Sequence, residues 1–423
     1  MAQITLPPKG SPRRDVLAAL RSLKKDDADW HEGRMFGLIY DAGREVEEVA
    51  IEAASIFMIE NALSPMAFPS LLKMETEVVS MVISLSGGDD DAVGSVTSGG
   101  TESILMTVKA ARDWARDVKP EVKPEIKNPE MIAPVTAHPA WNKAAHYLGL
   151  KMVNTPVTDD LKADVKAMED AITENTILLG GTAVTYPHGM VDPIEEIGKT
   201  AQNRNLWMHV DACLGGLILP FIEKLGYEIP PYDFRVPGVK SISADIGGIY
   251  ATPCIAGGRP GGPLASAWAV MHFLGEEGFL KLAQTAKEAA DKLMKGINET
   301  PMVHVLGQPD ATVFAIGSEE LNIFELGARM NELGWHMDFQ HLPPSLHMTI
   351  SPIHASIVDL FLEDLKKTAS TVSKIDPEDM SGEAAMYAMI GTMPDREKAR
   401  EFALQYLNDL YRWYFTPVKK TRF

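Results

Sequence analysis

The 423-residue sequence predicts an α/β protein: a large unit built on a mostly parallel, doubly wound sheet, a smaller α+β unit after it, and a helical segment ahead of both. Three observations carry this. From Val93 to Asp245 short strand-like runs alternate with amphipathic segments, as successive βαβ units require. The run Trp207-Met208-His209-Val210-Asp211 ends abruptly in an acid followed by small residues, the pattern of a buried parallel strand delivering a carboxylate to the carboxyl edge of its sheet. After about residue 290 the pattern changes to strand-like pieces mixed with amphipathic helices. The expected divisions are residues 1–60, a segment that wraps a dimer partner; 61–290, the large unit; and 291–423, the small one.

Taken in order, Ser11-Pro12 opens a helix that runs through Leu17, Leu20 and Leu23. Residues 33–40 form an irregular link. Helices follow at 44–60 and 69–86, the second carrying Leu71, Met74, Val78 and Val82 at helical spacing, with Asn61–Pro65 as the loop between them. Strands are expected at 93–97, 131–137, 150–154, 176–184, 206–211 and 239–244. The stretch Val93–Ser103 reads as a strand, a glycine turn and a helix start, and that helix bears Ile104, Leu105, Val108 and Ala111 on one face. Another helix spans 192–203. Prolines and charges in Val118–Pro129 forbid helix and sheet alike, so this is a surface loop. In the last third, strands are expected at 302–306, 312–316 and 346–351, and helices at 322–333, 357–369 and 395–412.

An apolar share of 45% suffices for a large core, and a formal charge of −18 argues against a nucleic-acid or anionic-membrane surface. The two cysteines, Cys213 and Cys254, have no CxxC spacing, so neither a disulfide framework nor a metal site is expected. No signal-peptide pattern opens the chain and no apolar window of about 18 uncharged residues occurs in it. A soluble, cytoplasmic protein is the expectation.

The glycine turn offers free backbone N–H groups at a helix start, an anion site, and Asp211 offers a permanent negative charge. A phosphate-bearing pyridine ring needs both, because only the protonated ring withdraws electrons strongly enough to stabilise a carbanion. Gly99, Gly100 and Thr101 can hold the phosphate, Asp211 can face the ring nitrogen, and His138, just past another strand, can stack on the ring. Singly, each has a plainer reading: turn punctuation, a helix cap, a core histidine. Their order and spacing carry the inference.

The runs Val96–Leu105, Lys143–Tyr147, Tyr186–Gly189, His209–Gly216, Ser241–Asp245 and Gly247–Pro253 together resemble the sphingosine-1-phosphate lyases of the pyridoxal-phosphate-dependent group II decarboxylase family. The resemblance runs from Gly33 to the C-terminal part of the chain. It implies a fold type I homodimer that uses pyridoxal 5'-phosphate to cleave the C2–C3 bond of phosphorylated sphingoid bases, giving a long-chain aldehyde and phosphoethanolamine. On the matching positions Gly100 and Thr101 would hold the cofactor phosphate, His138 would stack on the ring and Asp211 would pair with the pyridinium; Gly247 and Gly248 would also lie at the cofactor. Tyr40, Asn61, Ser64 and Arg259 are candidate substrate-phosphate contacts. Ser64 stands where the family usually has a histidine, and the plainer readings are half-buried packing for Tyr40 and a turn-closing ion pair for Arg259.

One departure matters most. In the family the strand ending Ser-Ala-Asp is followed by a His-Lys pair, whose lysine forms the Schiff base, and by roughly thirty further residues, the length of a functional loop rather than a turn. Here Asp245 is joined directly to Ile246. Lys240 stands at the start of its strand and so lies at the amino edge of the sheet, and Lys143 reads as a surface residue. The expectation is a lyase with a disorder-prone active-site loop that this sequence does not contain, since active-site loops concentrate disorder. The alternatives are an amino-acid decarboxylase, which would share Asp211 and His138, and a non-catalytic dimeric homologue that has lost the lysine.

Overall fold

The strands β1 (Glu130–Pro134), β2 (Lys151–Thr155), β3 (Thr176–Thr182), β4 (Trp207–Asp211) and β5 (Ser241–Ser243) pair in parallel in the order β2-β1-β3-β4-β5. This is the sheet of a computed structural model that describes residues 6–37, 39–64, 66–118, 126–244 and 259–372, with positions 398, 401 and 405. Successive side chains of a strand point to opposite faces. On one face Met131, Ala133 and Leu178, joined by Ile177 where the register between β1 and β3 shifts by one residue, meet α4 (Gly100–Asp113) and α5 (Ala140–Leu148) through Ile104, Leu105, Val108 and Trp141. On the other, Ile132, Leu179, Met208 and Val210 meet α6 (Val165–Asp170), α7 (Ile194–Arg204) and α8 (Leu219–Lys224) through Met168, Ile194, Ile197 and Phe221. Each such aliphatic side chain contributes about 1.5–3 kcal/mol by leaving water.

The strand expected at 93–97 forms no ladder among the described residues. The Val96 amide donates to Oε1 of Glu75 at 3.3 Å, so a side chain takes the bond a neighbouring strand would have offered. Glu75 lies on α3 (Pro69–Leu85), which buries Leu71, Met74 and Val78, three of its four expected core positions; Val82 is half-buried. Ahead of it run α1 (Arg13–Leu23) and α2 (Arg44–Ile56), neither of which buries a residue.

The second sheet is antiparallel: β6 (His304–Val305), β7 (Val313–Gly317), β8 (Asp338–His341) and β9 (Pro344–Thr349) in the order β6-β7-β9-β8, with α10 (Ile323–Glu332) and α11 (Val358–Ala369) packed on it. The sequence did not announce β8, whose four residues are all half-buried and show no alternation. Nor did it announce α9 (Gly261–Asn298), two helical runs meeting at a kink at Gly275, where φ is 53°. Glycines 275 and 278 interrupt its pattern. Ala289, Ala290, Leu293 and Ile297 of α9 enter the second core beside Trp335 and Phe361, so the division expected at 290 falls inside one helix. Phe36, from the leading segment, sits in the same core, its ring 5.0 Å from that of Phe361. The loop over 119–125 and most of the helix expected at 395–412 lie outside the described residues.

Candidate active site

The strand order reverses between β1 and β3, and open α/β sheets bind ligands beyond the carboxyl ends at such a point. There the chain encloses a cavity of about 910 Å³. Tyr40, Gly99, Gly100, Thr101, His138 and Asp211 all line it, so residues 171 positions apart in sequence converge on one space. Its other wall is apolar, with Leu214, Leu217, Phe279 and Leu282.

Asp211 closes β4, in register with Thr182 of β3 and Ser243 of β5, and is 3% exposed. Its Oδ1 accepts from the Cys213 amide at 3.2 Å and from the Ser243 hydroxyl at 3.4 Å. Both bonds land on Oδ1, which leaves Oδ2 for a ligand. Thr182 also lines the cavity, and its buried hydroxyl has no partner. A buried donor left unmade costs about 1–3 kcal/mol, which a polar ligand would recover.

The glycine turn is tied from behind. Gly99 adopts φ 137°, a conformation that side chains disfavour, and its amide donates to Oγ1 of Thr97 at 3.3 Å. Glu102, 7% exposed, reaches back to accept from the Ser98 amide at 2.7 Å. The amides of Gly100 and Thr101, in the first turn of α4, have no intrahelical acceptor and are the groups an anion would meet. His138 stands two residues before α5; the Ala140 amide donates to its Nδ1 at 3.2 Å, which leaves the proton on Nε2.

Asn61, Ser64 and Arg259 do not line the cavity. Arg259 is 5% exposed, with Nη1 donating to Glu75 Oε1 at 2.9 Å and Nη2 to the Ala62 carbonyl at 3.0 Å, while Asn61 Oδ1 accepts from the Arg259 amide at 2.9 Å. This is the turn-closing ion pair. Ser64 is exposed. Gly247, Gly248 and the Asp245–Ile246 junction lie outside the described residues.

Lys143 is exposed, yet it stands at the rim and is the sole lysine or arginine among the described residues lining the cavity. Lys240 is exposed at the amino edge, its ammonium 4.0 Å from the centroid of the Trp114 ring rather than simply solvated. Sequence reasoning missed Thr182, whose place at the end of β3 was the available signal, and gave Ser243 and His209 no role although both stand in the motifs. His209 is fully buried, and burial pushes its imidazole down to about 4, against the weaker upward pull of Asp211 and Ser241.

Residues 9–248 match the model of the pyridoxal-dependent decarboxylase conserved domain. The chain is 39% identical to the sphingosine-1-phosphate lyase of Arabidopsis thaliana over 94% of its own length and 79% of that protein. It is 37% identical to the Dictyostelium discoideum enzyme of the same name, over 99% and 84%. That second alignment runs over 457 positions, more than the 423 residues of this chain, so the relative carries residues that this chain lacks. The solved sphingosine-1-phosphate lyase of Burkholderia pseudomallei superposes with a TM-score of 0.84 at 32% identity, covering 96% of this chain and 97% of that one. Glutamate decarboxylase of Lactobacillus brevis, at 17% identity and a TM-score of 0.79, shares the fold. The chain belongs to the family of pyridoxal-dependent decarboxylases that includes the sphingosine-1-phosphate lyases.

Proposed function

We propose that the protein is a pyridoxal-phosphate-dependent lyase that cleaves the C2–C3 bond of phosphorylated sphingoid bases, releasing a long-chain aldehyde and phosphoethanolamine. The observation that carries this reading is one cavity holding a strand-end carboxylate, a helix start with free amides, an imidazole and an apolar wall. Asp211 Oδ2 would hold the ring nitrogen, the Gly100 and Thr101 amides would hold the cofactor phosphate, His138 would cover the ring, and Thr182 would gain the partner it lacks. Bound pyridoxal phosphate supplies an electron sink for the carbanion at C2. Asp211 holds the ring nitrogen protonated, Leu214, Leu217 and Phe279 take the alkyl chain, and Lys143 meets the substrate phosphate from the rim. Tyr40 lines the same space and contacts that phosphate in this reading.

The reaction also needs a lysine amine beside the ring. Neither Lys143 at the rim nor Lys240 at the amino edge supplies one, and the reading takes it from the segment expected after Asp245. The amino-acid decarboxylase alternative draws support from a probable L-tyrosine/L-aspartate decarboxylase of Methanothermobacter thermautotrophicus, 30% identical over 73% of this chain, against 39% over 94% for the Arabidopsis lyase, and the apolar wall favours a lipid tail. The protein acts in the cytoplasm as a homodimer; no helix among the described residues is long and apolar enough to cross a membrane. Support for the dimer comes from the leading segment, where Leu23 is 74% and Ile59 90% exposed, an apolar surface that a second copy would cover.

The test is the purified protein with pyridoxal phosphate. An absorbance band near the visible edge that borohydride abolishes, together with long-chain aldehyde released from sphingosine 1-phosphate, is the expected result. Intact mass is read alongside. A mass well above 46.3 kDa places the lysine-bearing segment in the polypeptide, whereas 46.3 kDa with no band would turn the reading to a non-catalytic homologue.

A further inference from the structure

Behind Asp211 lies a row of hydrogen-bonding side chains whose direction is set from its far end. The Trp207 indole can only donate, and its Nε1 lies 2.8 Å from Ser241 Oγ. Ser241 Oγ therefore accepts there, and its own proton is available to His209 Nδ1 at 2.9 Å. Thr107 Oγ1 approaches the same nitrogen at 3.4 Å and can donate to it as well. A neutral imidazole that accepts at Nδ1 must donate at Nε2, which lies 3.2 Å from Ser243 Oγ. Ser243, accepting from His209 and from Cys213 Sγ at 3.5 Å, has one proton left, and Asp211 Oδ1 receives it at 3.4 Å.

We propose that Trp207, Ser241, His209 and Ser243 form a one-way hydrogen-bond relay ending on Asp211, in which His209 is a positioning residue that keeps the carboxylate supplied with a donor and therefore anionic. Every link is buried or half-buried, where such bonds polarise one another and an unmade one is costly. Hydrogen bonds given to the charged form of a carboxylate favour that form. The burial of His209 fits the relay, because a cationic imidazole would donate at both nitrogens and break the direction at Ser241. His209 and Asp211 are two residues apart on β4 and so share a face, and parallel pairing with β5 puts Ser241 and Ser243 opposite them. The spacing His-x-Asp against Ser-x-Ser is what builds the row.

The inference rests on the proposed cofactor, but its first test does not. In the protein without cofactor, nitrogen-15 shifts of the His209 ring, assigned with H209Q, should show a bare Nδ1 and a protonated Nε2 at neutral pH. The opposite tautomer, with Nδ1–H turned to the Ser241 carbonyl and Nε2 drawing the Ser243 proton away from Asp211, would overturn the relay. So would a cationic ring. The second test loads ring-labelled pyridoxal phosphate and follows protonation of its nitrogen with pH. In S243A and H209L deprotonation should occur at about tenfold higher proton concentration than in the wild type. H209Q, whose amide can accept from Ser241 and donate to Ser243, should behave as the wild type. Unchanged titration in S243A overturns the relay even if H209L fails to fold. If the wild type binds no cofactor, the proposed function fails while the tautomer measurement still decides the relay.

Discussion

Tyr186 donates its phenolic proton to Asp338 Oδ2 across 2.6 Å while its ring lies on that of His347, centroids 4.0 Å apart and planes 20° from parallel. Tyr186 belongs to the loop after β3, and Asp338 and His347 to β8 and β9, so this pair fastens the second sheet to the cavity wall that Tyr186 lines. Tyr186→Phe keeps the stacking and removes a hydrogen bond to a carboxylate, which should cost about 1–2 kcal/mol, the lower end because Tyr186 is partly exposed. Denaturant unfolding measures it. A variant as stable as the wild type, with unchanged amide exchange in β8, would mean that the bond fastens nothing.

Asp211→Ala should abolish turnover even where some cofactor stays, because the ring nitrogen then loses its counter-charge. Thr101→Ala keeps the backbone amide but removes a hydroxyl placed to donate a further charge-assisted hydrogen bond to the cofactor phosphate, and should instead weaken cofactor binding by about 1–3 kcal/mol. Fluorescence titration with pyridoxal phosphate separates the two effects. Wild-type activity in the first variant, or wild-type affinity in the second, removes that residue from the site.

Lys143→Gln should raise KM for a phosphorylated substrate. Its rim position sets the size, since an exposed charge pair is worth about 0.2–1 kcal/mol, a factor of about 1.5 to 5. The rise should shrink as salt is added. An equal rise for an unphosphorylated sphingoid base would show that Lys143 does not read the phosphate.

Stability should fall in acid. Burial holds the imidazoles of His188, His209 and His347 down to about 4, against 6.5 when unfolded. Between those values the unfolded chain takes up three protons that the folded one refuses, so their contribution is complete above pH 6.5 and is lost as pH falls towards 4. Asp192 opposes them: burial raises its carboxyl to about 6 against 3.8, so the folded chain holds one extra proton in that window. The net from these four groups is two protons, a loss approaching roughly 2.7 kcal/mol per pH unit near pH 5, and His354, also held down by burial, acts in the same direction. Equilibrium unfolding at a series of pH values tests the sign. A flat profile between pH 6.5 and 4.5 contradicts it.

What could be read from the sequence was what depends on period and on residue type at a strand end. The Ile104, Leu105, Val108, Ala111 face of α4 is buried as its spacing requires, and Asp211 stands at the edge of β4 because an apolar run that stops at an acid has nowhere else to end it. Arg259 was not legible. Its partner Glu75 is 184 residues away, and no local pattern tells a guanidinium that waits for a phosphate from one already spent. Lys143 was read correctly as exposed, but which side of the molecule it faces is decided by how α5 packs on α4. For α9, glycines hid a helix that tertiary contacts on both sides hold in place.

The second arm of α9 carries Phe279, Leu282, Ala283 and Ala286 into the cavity wall and Leu293 and Ile297 into the core of the other sheet. From Ala286 to Ile297 is about 16 Å of continuous helix at ~1.5 Å per residue, a span that behaves as a stiff beam with a load at each end. A tilt of about five degrees around one end displaces the other by about 1.4 Å over that length. The width of the alkyl-chain wall is thus gauged from a distance, by how Trp335 and Phe361 seat the far end, and repacking around those two rings would be felt as a change in which chain lengths fit.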